Sequence, residues 1–454
     1  MRASGRFAGK LDSSGGGSVL MCGALLFDYR LKCATTYGNK KCMNMPVTAA
    51  SITGTPLNPA KLPGLKGLDV RGKRVLLRVD YNIPVLPDGT LYDDYRIAST
   101  VSTIKKLLLE GARVGILTHR GRPGGRVVPE LSTKPLAEIL GGLLGQRVSH
   151  IPDCIGRVAE QAMTELAPGE VLMFENVRYH LGEQMNQKAF VQQLAALGDV
   201  FVNDAFGTAH RAHASTSGLA TAMSPSVIGD LMERELAWLH RLAHQPEHPI
   251  LLVLGGNSVG PKIELLRHML TRVDTVMLGG AVANTFMAAR DLGLGQSMLD
   301  PSFVDMARDI LTEAGVVGCR LHLPQDVWVH DANNTKKPAE IRAAHAIGAQ
   351  ESVIDIGPQT LATWQRLVVA GGTTIMLGSI GVAEHREGRT GTRGLVKTLT
   401  ETRGFSLVGG NGLLPLLHED GLRERLPALS TGGGALLNGL LGKPLPCLDA
   451  ILED

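Results

Sequence analysis

The chain has 454 residues, 44% hydrophobic and 20% charged, an ordinary balance for a globular protein with room for two or three domains. A net charge of only +3 gives no electrostatic case for nucleic acid, and 55 glycines favour an α/β protein with many tight strand-to-helix turns.

The charge is uneven. Residues 1–60 hold seven basic side chains (Arg2, Arg6, Lys10, Arg30, Lys32, Lys40, Lys41) against two acidic ones (Asp12, Asp28), so this stretch carries +5. It is rich in Ser, Thr, Gly and Ala, without sustained periodicity. Such a start reads as a transit peptide for an organelle, plastid or mitochondrion; the alternative is an extension that addresses nothing, on a cytoplasmic protein. The apolar run Ser18–Phe27 is too short to span a bilayer and fits the apolar part of a signal, so no membrane partner is expected. The C-terminus, Ile451-Leu452-Glu453-Asp454, is not a peroxisomal Ser-Lys-Leu address. The six cysteines, Cys22, Cys33, Cys42, Cys154, Cys319 and Cys447, have neither metal-type spacing nor a disulfide framework, which suits a reducing interior and predicts no metal.

A regular rhythm begins near residue 64. Arg74–Val79, Arg113–Thr118, Val171–Val177 and Val200–Asn203 read as strands. Val101–Glu110, Lys134–Leu144 and Lys188–Leu197 read as helices between them. A longer helix, Leu231–Ala243, precedes the loop signal Gln245-Pro246-Glu247-His248-Pro249 and marks a junction. A second series follows, with strands Ile250–Leu254, Thr275–Leu278, Arg320–Leu323, Thr374–Leu377 and Phe405–Val408. Its helices are Lys262–Leu270, Ala283–Leu292, Phe303–Glu313 and Thr360–Val369. The βαβα alternation implies an α/β protein of two lobes, each a parallel sheet with helices on both faces. The expected division is an extension over 1–60, a first lobe over 61–230, an interdomain helix over 231–245, a second lobe over 246–430 and a terminal segment over 431–454.

Ligands of such sheets bind beyond the carboxyl ends of the strands. In the first lobe those ends carry Arg78-Val79-Asp80-Tyr81-Asn82, Thr118-His119-Arg120-Gly121-Arg122-Pro123, Glu175-Asn176-Val177-Arg178-Tyr179-His180 and Asn203-Asp204-Ala205-Phe206-Gly207-Thr208-Ala209-His210-Arg211-Ala212-His213-Ala214-Ser215. Arg96 follows the loop Asp93-Asp94-Tyr95. Guanidinium groups grip phosphate and carboxylate in bidentate fashion, so the natural ligand is a small, multiply anionic molecule.

These segments resemble phosphoglycerate kinases. Asn203–Ser215 matches that family's long signature, and the Asp-x-Asn, His-x-Gly-Arg and Glu-Asn-x-Arg segments match too. So does Ser430-Thr431-Gly432-Gly433-Gly434-Ala435, and the similarity runs from Leu68 to Ile451. The resemblance implies two Rossmann-like lobes with a hinge, a monomer, and the terminal segment returning to the first lobe. It implies 3-phosphoglycerate held by Asp80, Asn82, Arg96, His119, Arg122, Arg178 and Arg211, with His210 in the same basic patch. Arg96 also steadies the phosphoryl group in flight in that family. Ser224-Pro225-Ser226-Val227-Ile228-Gly229 is similar to the plastid-type branch.

The second lobe departs from the pattern. The family's first nucleotide loop, Gly-Gly-small-Lys-Val-small-x-Lys, is Gly255-Gly256-Asn257-Ser258-Val259-Gly260-Pro261-Lys262 here. Lys262 is kept, but the lysine that contacts the transferred group is Ser258. In Met376-Leu377-Gly378-Ser379-Ile380-Gly381-Val382-Ala383-Glu384 the expected ribose ligand Glu384 is kept, while the family's Asn and Pro are Leu377 and Ser379. In Gly409-Gly410-Asn411-Gly412-Leu413 the metal-bearing aspartate is Gly412, and no Asp or Glu lies between Gly404 and Leu417. Magnesium usually wants one or two carboxylates. Gly280 belongs to an altered glycine run, Gly279-Gly280-Ala281-Val282-Ala283, whose added methyl crowds an adenine pocket. The histidine that precedes the Ser-Thr-Gly-Gly-Gly segment in the family is Ala428, which bears on lobe closure.

Loss of one preorganised charge costs about 3–4 kcal/mol of barrier, roughly a hundred- to a thousandfold in rate. The sequence therefore points to an intact acid site, a degraded ATP and magnesium site, and no tightly bound cofactor. The role expected is anion binding, anion sensing or scaffolding with a protein partner. The alternative is an active kinase of glycolysis or the Calvin cycle that uses MgATP and MgADP.

Overall fold

The computed structural model describes residues 58–84, 91–334, 337–410 and 412–452; the leader and Asn411 lie outside the described residues. The first lobe is built on β1 (Arg74–Arg78), β2 (Arg113–Leu117), β3 (Val148–Ile151), β4 (Val171–Phe174), β5 (Val200–Asn203) and β6 (Ser226–Ile228). They form one parallel sheet in the order β3-β4-β2-β1-β5-β6. The second lobe has β7 (Ile250–Leu254), β8 (Thr275–Leu278), β9 (Arg320–His322), β10 (Asp326–Asp331), β11 (Glu340–Ala343), β12 (Glu351–Ile356), β13 (Thr373–Leu377), β14 (Phe405–Gly409) and β15 (Ala428–Ser430). Its parallel sheet runs β15-β14-β13-β7-β8-β9.

The central strands read Val-Leu-Met-Phe, Val-Phe-Val-Asn and Ile-Leu-Leu-Val-Leu, and every residue in them is buried. Unbroken apolar runs of this kind are what a sheet covered by helices on both faces requires. One feature of the second lobe differs from the expected single sheet. β11, β10 and β12 form a separate antiparallel sheet. β11 reads Glu-Ile-Arg-Ala and is largely exposed, so it carries no apolar run to betray it.

In both lobes the strand order reverses beside the first strand, between β1 and β5 and between β7 and β13. Those switch points open the crevices where ligands of doubly wound sheets bind. Between the lobes runs the helix Asp230–His244. One apolar cluster is continuous through Phe174 and Phe206 of the first lobe, Leu236 and Leu239 of that helix, and Leu252 and Phe286 of the second lobe. Leu436 and Ile451 of the terminal segment join it. That segment lies on the first lobe, where Ser217 Oγ donates to Pro446 O at 3.0 Å. No helix among the described residues is long and apolar enough to cross a membrane.

Candidate functional site

Asp80 leaves the end of β1 and the segment Phe206–Thr208 leaves the end of β5, so the first switch point brings them together. They meet closely. A Cβ on Gly207 would lie 2.1 Å from Asp80 Oδ2, so only glycine fits. Asp80 accepts from Arg96 Nη1 at 2.5 Å, and both side chains are buried. His119 Nδ1 stands 3.8 Å from Asp80 Oδ1 and 3.1 Å from Arg78 Nη2. Burial opposes ionisation of Asp80, but the fields of Arg96 and Arg78 and the neighbouring His119 hold its carboxyl far below the usual range. Burial itself keeps His119 well below its ordinary value. Asn82 Oδ1 accepts from Gly121 N–H at 2.8 Å, and Gly121 O accepts from Arg178 Nη1 at 2.7 Å.

The patch is crowded with positive charge. Burial, then the neighbouring Arg78 and Arg211, pushes Arg178 down to about 10. His213 falls to about 4 through burial and the fields of Arg178, Arg78, Arg211 and His210. His210 is lowered by burial and by Arg211. Arg178 Nε, His210 Nδ1 and His213 Nδ1 are buried without a hydrogen-bond partner in the protein. Clustered arginines with unpartnered buried polar atoms beside neutral imidazoles suit a site that takes an anion. Arg122 is exposed at the rim and Arg211 half-buried.

Arg78, His213 and Ser215 lie in the strand-end segments read from the sequence but are given no role of their own there, and Glu183 lies outside those segments. Arg78 is fully buried, and its Nε donates to Ser215 Oγ at 2.7 Å. Ser215 in turn donates to the buried Glu183, from Oγ at 2.7 Å and from its backbone N–H at 2.8 Å. The role of Arg78 was not legible because it shows only through Ser215, more than a hundred positions away.

A cavity of about 530 Å³ fronts this patch, lined by Asn82, Arg96, Arg120 and Gly121 of the first lobe and by Gly412 and Leu414 of the second. A second cavity, about 520 Å³, lies in the second lobe and shares Tyr92 and Gly412 with the first. Gly412 therefore stands where the two cavities meet. The second cavity is lined by Gly256, Gly280, Ala281, Ala283, Ile354, Ile380, Val382 and Glu384, with the rings of His330 and His385 4.6 Å apart. Burial pushes its Asp355 carboxyl up to about 8, against hydrogen bonds from the Gly391 and Ile356 N–H groups. Among the described residues that line it there is no Lys or Arg.

Lys262 is not in that lining. It is buried, its Nζ donates to Gly255 O, and desolvation lowers it to about 8. Ser258 is the exposed N-cap of the helix Val259–Met269, and its side chain makes no cap bond. Gly255 and Gly378 pack backbone to backbone at the second switch point: a Cβ on Gly255 would meet Ser379 O at 2.1 Å. Gly409 ends β14, and Gly410 has φ +130°, a conformation that favours glycine. The described lining of the second cavity is largely apolar and holds no lysine. No Asp or Glu lies between Gly404 and Leu417 in the chain, and the carboxylates that share a cavity with Gly412 are Asp93, Asp355 and Glu384.

The lobes touch beside the site. Tyr95 Oη donates to Leu429 O at 2.6 Å, Arg96 Nη2 to Thr431 O at 2.7 Å, and Arg423 Nη1 to Asp94 Oδ1 at 2.6 Å. Ala428, in the family's histidine position, is buried at the start of β15, and these bonds tie the edge instead. Glu235 of the interlobe helix anchors the same edge. Its Oε1 accepts from Thr431 N–H at 2.6 Å and Oγ1 at 2.8 Å, and its Oε2 accepts from Ser430 Oγ at 2.6 Å.

Burial outweighs those bonds and lifts Glu235 to about 7 from an ordinary 4.5. Between those values the folded chain keeps a proton that the unfolded chain releases. The stability so gained is full below about pH 4.5 and lost as pH rises through about 7. Asp204, raised to about 6, acts with the same sign. Glu235→Gln, which keeps the neutral shape, is expected to lose less melting temperature than the parent between about pH 5 and about pH 8. Equal losses in scanning calorimetry would refute the assignment.

The family model described as Phosphoglycerate kinase matches residues 65–443. The phosphoglycerate kinase of Thermomicrobium roseum is 42% identical over 390 residues, 86% of this chain and 99% of that protein. That of Pelotomaculum thermopropionicum is 40% identical over 389 residues, 86% of this chain and 98% of its own length. Among solved structures, the phosphoglycerate kinase of Coxiella burnetii matches with a TM-score of 0.73 at 35% identity, covering 86% of this chain and 99% of its own. That of Pyrococcus horikoshii matches at 0.78 and 31% identity, covering 86% and 98%. With sequence, sheet order and anion patch in agreement, the chain belongs to the phosphoglycerate kinase family.

Proposed function

We propose that this chain binds 3-phosphoglycerate, or a similar small phosphorylated acid, in its first lobe and does not transfer phosphate. Its role is then that of an anion-binding or scaffold member of the family, with a protein partner, and no nucleotide is held tightly. The observation that carries this reading is the second cavity, which has no Lys or Arg in its described lining and meets the anion cavity at Gly412, where a carboxylate would be needed. Phosphoryl transfer relies on positive charge placed around the moving group. Arg96 remains for that purpose, with Arg120 in the same lining and no lysine in the described lining of either cavity.

Titration calorimetry with MgADP tests the reading. Weak or absent binding is expected, and tight binding would overturn it. On the acid side, 3-phosphoglycerate is expected to raise the melting temperature, because a ligand selective for the native state stabilises it. Arg178→Ala is expected to abolish most of that shift. No shift in the parent would leave only the scaffold role.

A second reading is favoured by Glu384, the glycine turns and an open second cavity: an active kinase that interconverts 1,3-bisphosphoglycerate and ADP with 3-phosphoglycerate and ATP. Turnover of about 1–100 per second would establish it. The basic leader supports import into an organelle, plastid or mitochondrion. A reporter fused behind residues 1–60 that stays in the cytosol would remove that part of the proposal.

A further inference from the structure

A third cluster of chemistry lies in the first lobe, apart from both cavities. Asp153 and Cys154 sit in the loop after β3, and His180 follows the turn Val177–Tyr179 that carries Arg178. A carboxylate oxygen of Asp153, the sulfur of Cys154 and an imidazole nitrogen of His180 all lie within 4.8 Å of one another. Among the described residues this is the one place where three such donors converge.

The cluster is braced. Asp153 Oδ1 accepts from the Cys154 backbone N–H at 2.7 Å and faces His180 Nε2 at 2.8 Å. The His180 ring rests against Phe190 with centroids 5.2 Å apart. Cys154 is buried and forms an apolar floor, while the side chains of Asp153 and His180 are 45% and 28% exposed. An ion therefore has an entry path, and solvent can complete the coordination. An Asp–His pair alone would account for two of these side chains. It gives no reason for a thiol to face the same point.

We propose that Asp153, Cys154 and His180 form a binding site for a divalent transition metal of the zinc type. Sulfur, imidazole and carboxylate together suit a borderline-soft ion that takes four ligands in a tetrahedron, with water as the fourth here. Magnesium and calcium prefer all-oxygen sets and are not held. On binding, the Cys154 thiol gives its proton to solvent and a metal–sulfur bond replaces the S–H bond. Asp153 and the thiolate then balance the two positive charges, with His180 neutral. Because His180 stands two residues from Arg178, the metal also fastens the turn that presents that arginine to the anion site. The site does not depend on whether the chain transfers phosphate.

The test is cobalt(II) titration of the full chain carrying Cys22→Ser, Cys33→Ser and Cys42→Ser, so that the leader thiols contribute nothing. The expected result is one cobalt per chain, with a thiolate-to-cobalt charge-transfer band and visible bands of tetrahedral intensity, displaced by zinc. Cys154→Ser is expected to abolish the charge-transfer band. The more exposed His180→Ala, which guards against misfolding of the cysteine variant, is expected to weaken binding at least by the roughly 10- to 100-fold that even outer-shell partners are worth. Cys319→Ser is expected to leave the band unchanged. Failure to bind cobalt or zinc, or a band that survives Cys154→Ser or full affinity in His180→Ala, would overturn the proposal.

Discussion

Ser258→Lys combined with Gly412→Asp is expected to give the chain tight MgADP binding and phosphoglycerate-dependent turnover, both absent from the parent if the proposed function holds. Each substitution supplies a charge worth about 3–4 kcal/mol of barrier, so the pair is expected to raise the rate by at least about a thousandfold. Both positions have room. A Cβ on Gly412 meets nothing within 4 Å, and Ser258 is exposed with a side chain that caps nothing. A lysine at the N-terminus of the helix Val259–Met269 opposes the helix dipole, but by only about 0.3–1 kcal/mol, less than the expected gain. A coupled assay of ATP formation, with calorimetry for MgADP, reads the result. If the parent already turns over at an ordinary kinase rate, the nucleotide site works by means other than these two charges and the proposed function fails. If the double variant binds MgADP without turnover, the lobes do not close on the substrate, and the edge tied by Tyr95, Arg96 and Arg423 becomes the next target.

Glu183→Ala is expected to destabilise the chain by about 3–5 kcal/mol, the usual consequence of removing one partner from a buried charge network. Glu183 is fully buried and takes both the N–H and the hydroxyl of Ser215, and Ser215 takes Nε of the fully buried Arg78. Without the carboxylate, the Arg78 guanidinium keeps its desolvation and loses its nearest compensating charge. The same arginine holds His119 at 3.1 Å, so the anion site is expected to loosen as well. Glu183→Gln keeps the shape and one of the two accepting oxygens and loses the charge, and it is expected to fall between parent and Ala. Thermal and urea unfolding followed by circular dichroism check the order. A loss for Glu183→Ala of under about 1 kcal/mol would show that Arg78 is compensated elsewhere.

Much of the fold was legible in the chain. β5, β7 and β8 lie where apolar runs between turn residues placed them, and Lys134–Leu144 is helical end to end. These elements announce themselves because burial on both faces demands uninterrupted apolar residues. β3, β6, β10, β11, β12 and β15 were not legible. They are short or lie on partly exposed sheets, where polar residues break the pattern.

The sequence by itself determined the residue types of the site: the run of Arg and His at the strand ends of the first lobe, Ser and Gly at positions 258 and 412, and the lack of any carboxylate from 404 to 417. Those are facts about which atoms are present. Only the tertiary structure decided where they point. Lys262 is in the chain as a cation, but the fold buries it with its Nζ on Gly255 O, beside Gly256 and outside the cavity lining. Arg96 reaches Thr431, 335 positions away, and Asp153 meets His180, 27 positions away. Such pairings follow from the crossover order of the strands and from packing at long sequence separation, which no local pattern of residues encodes.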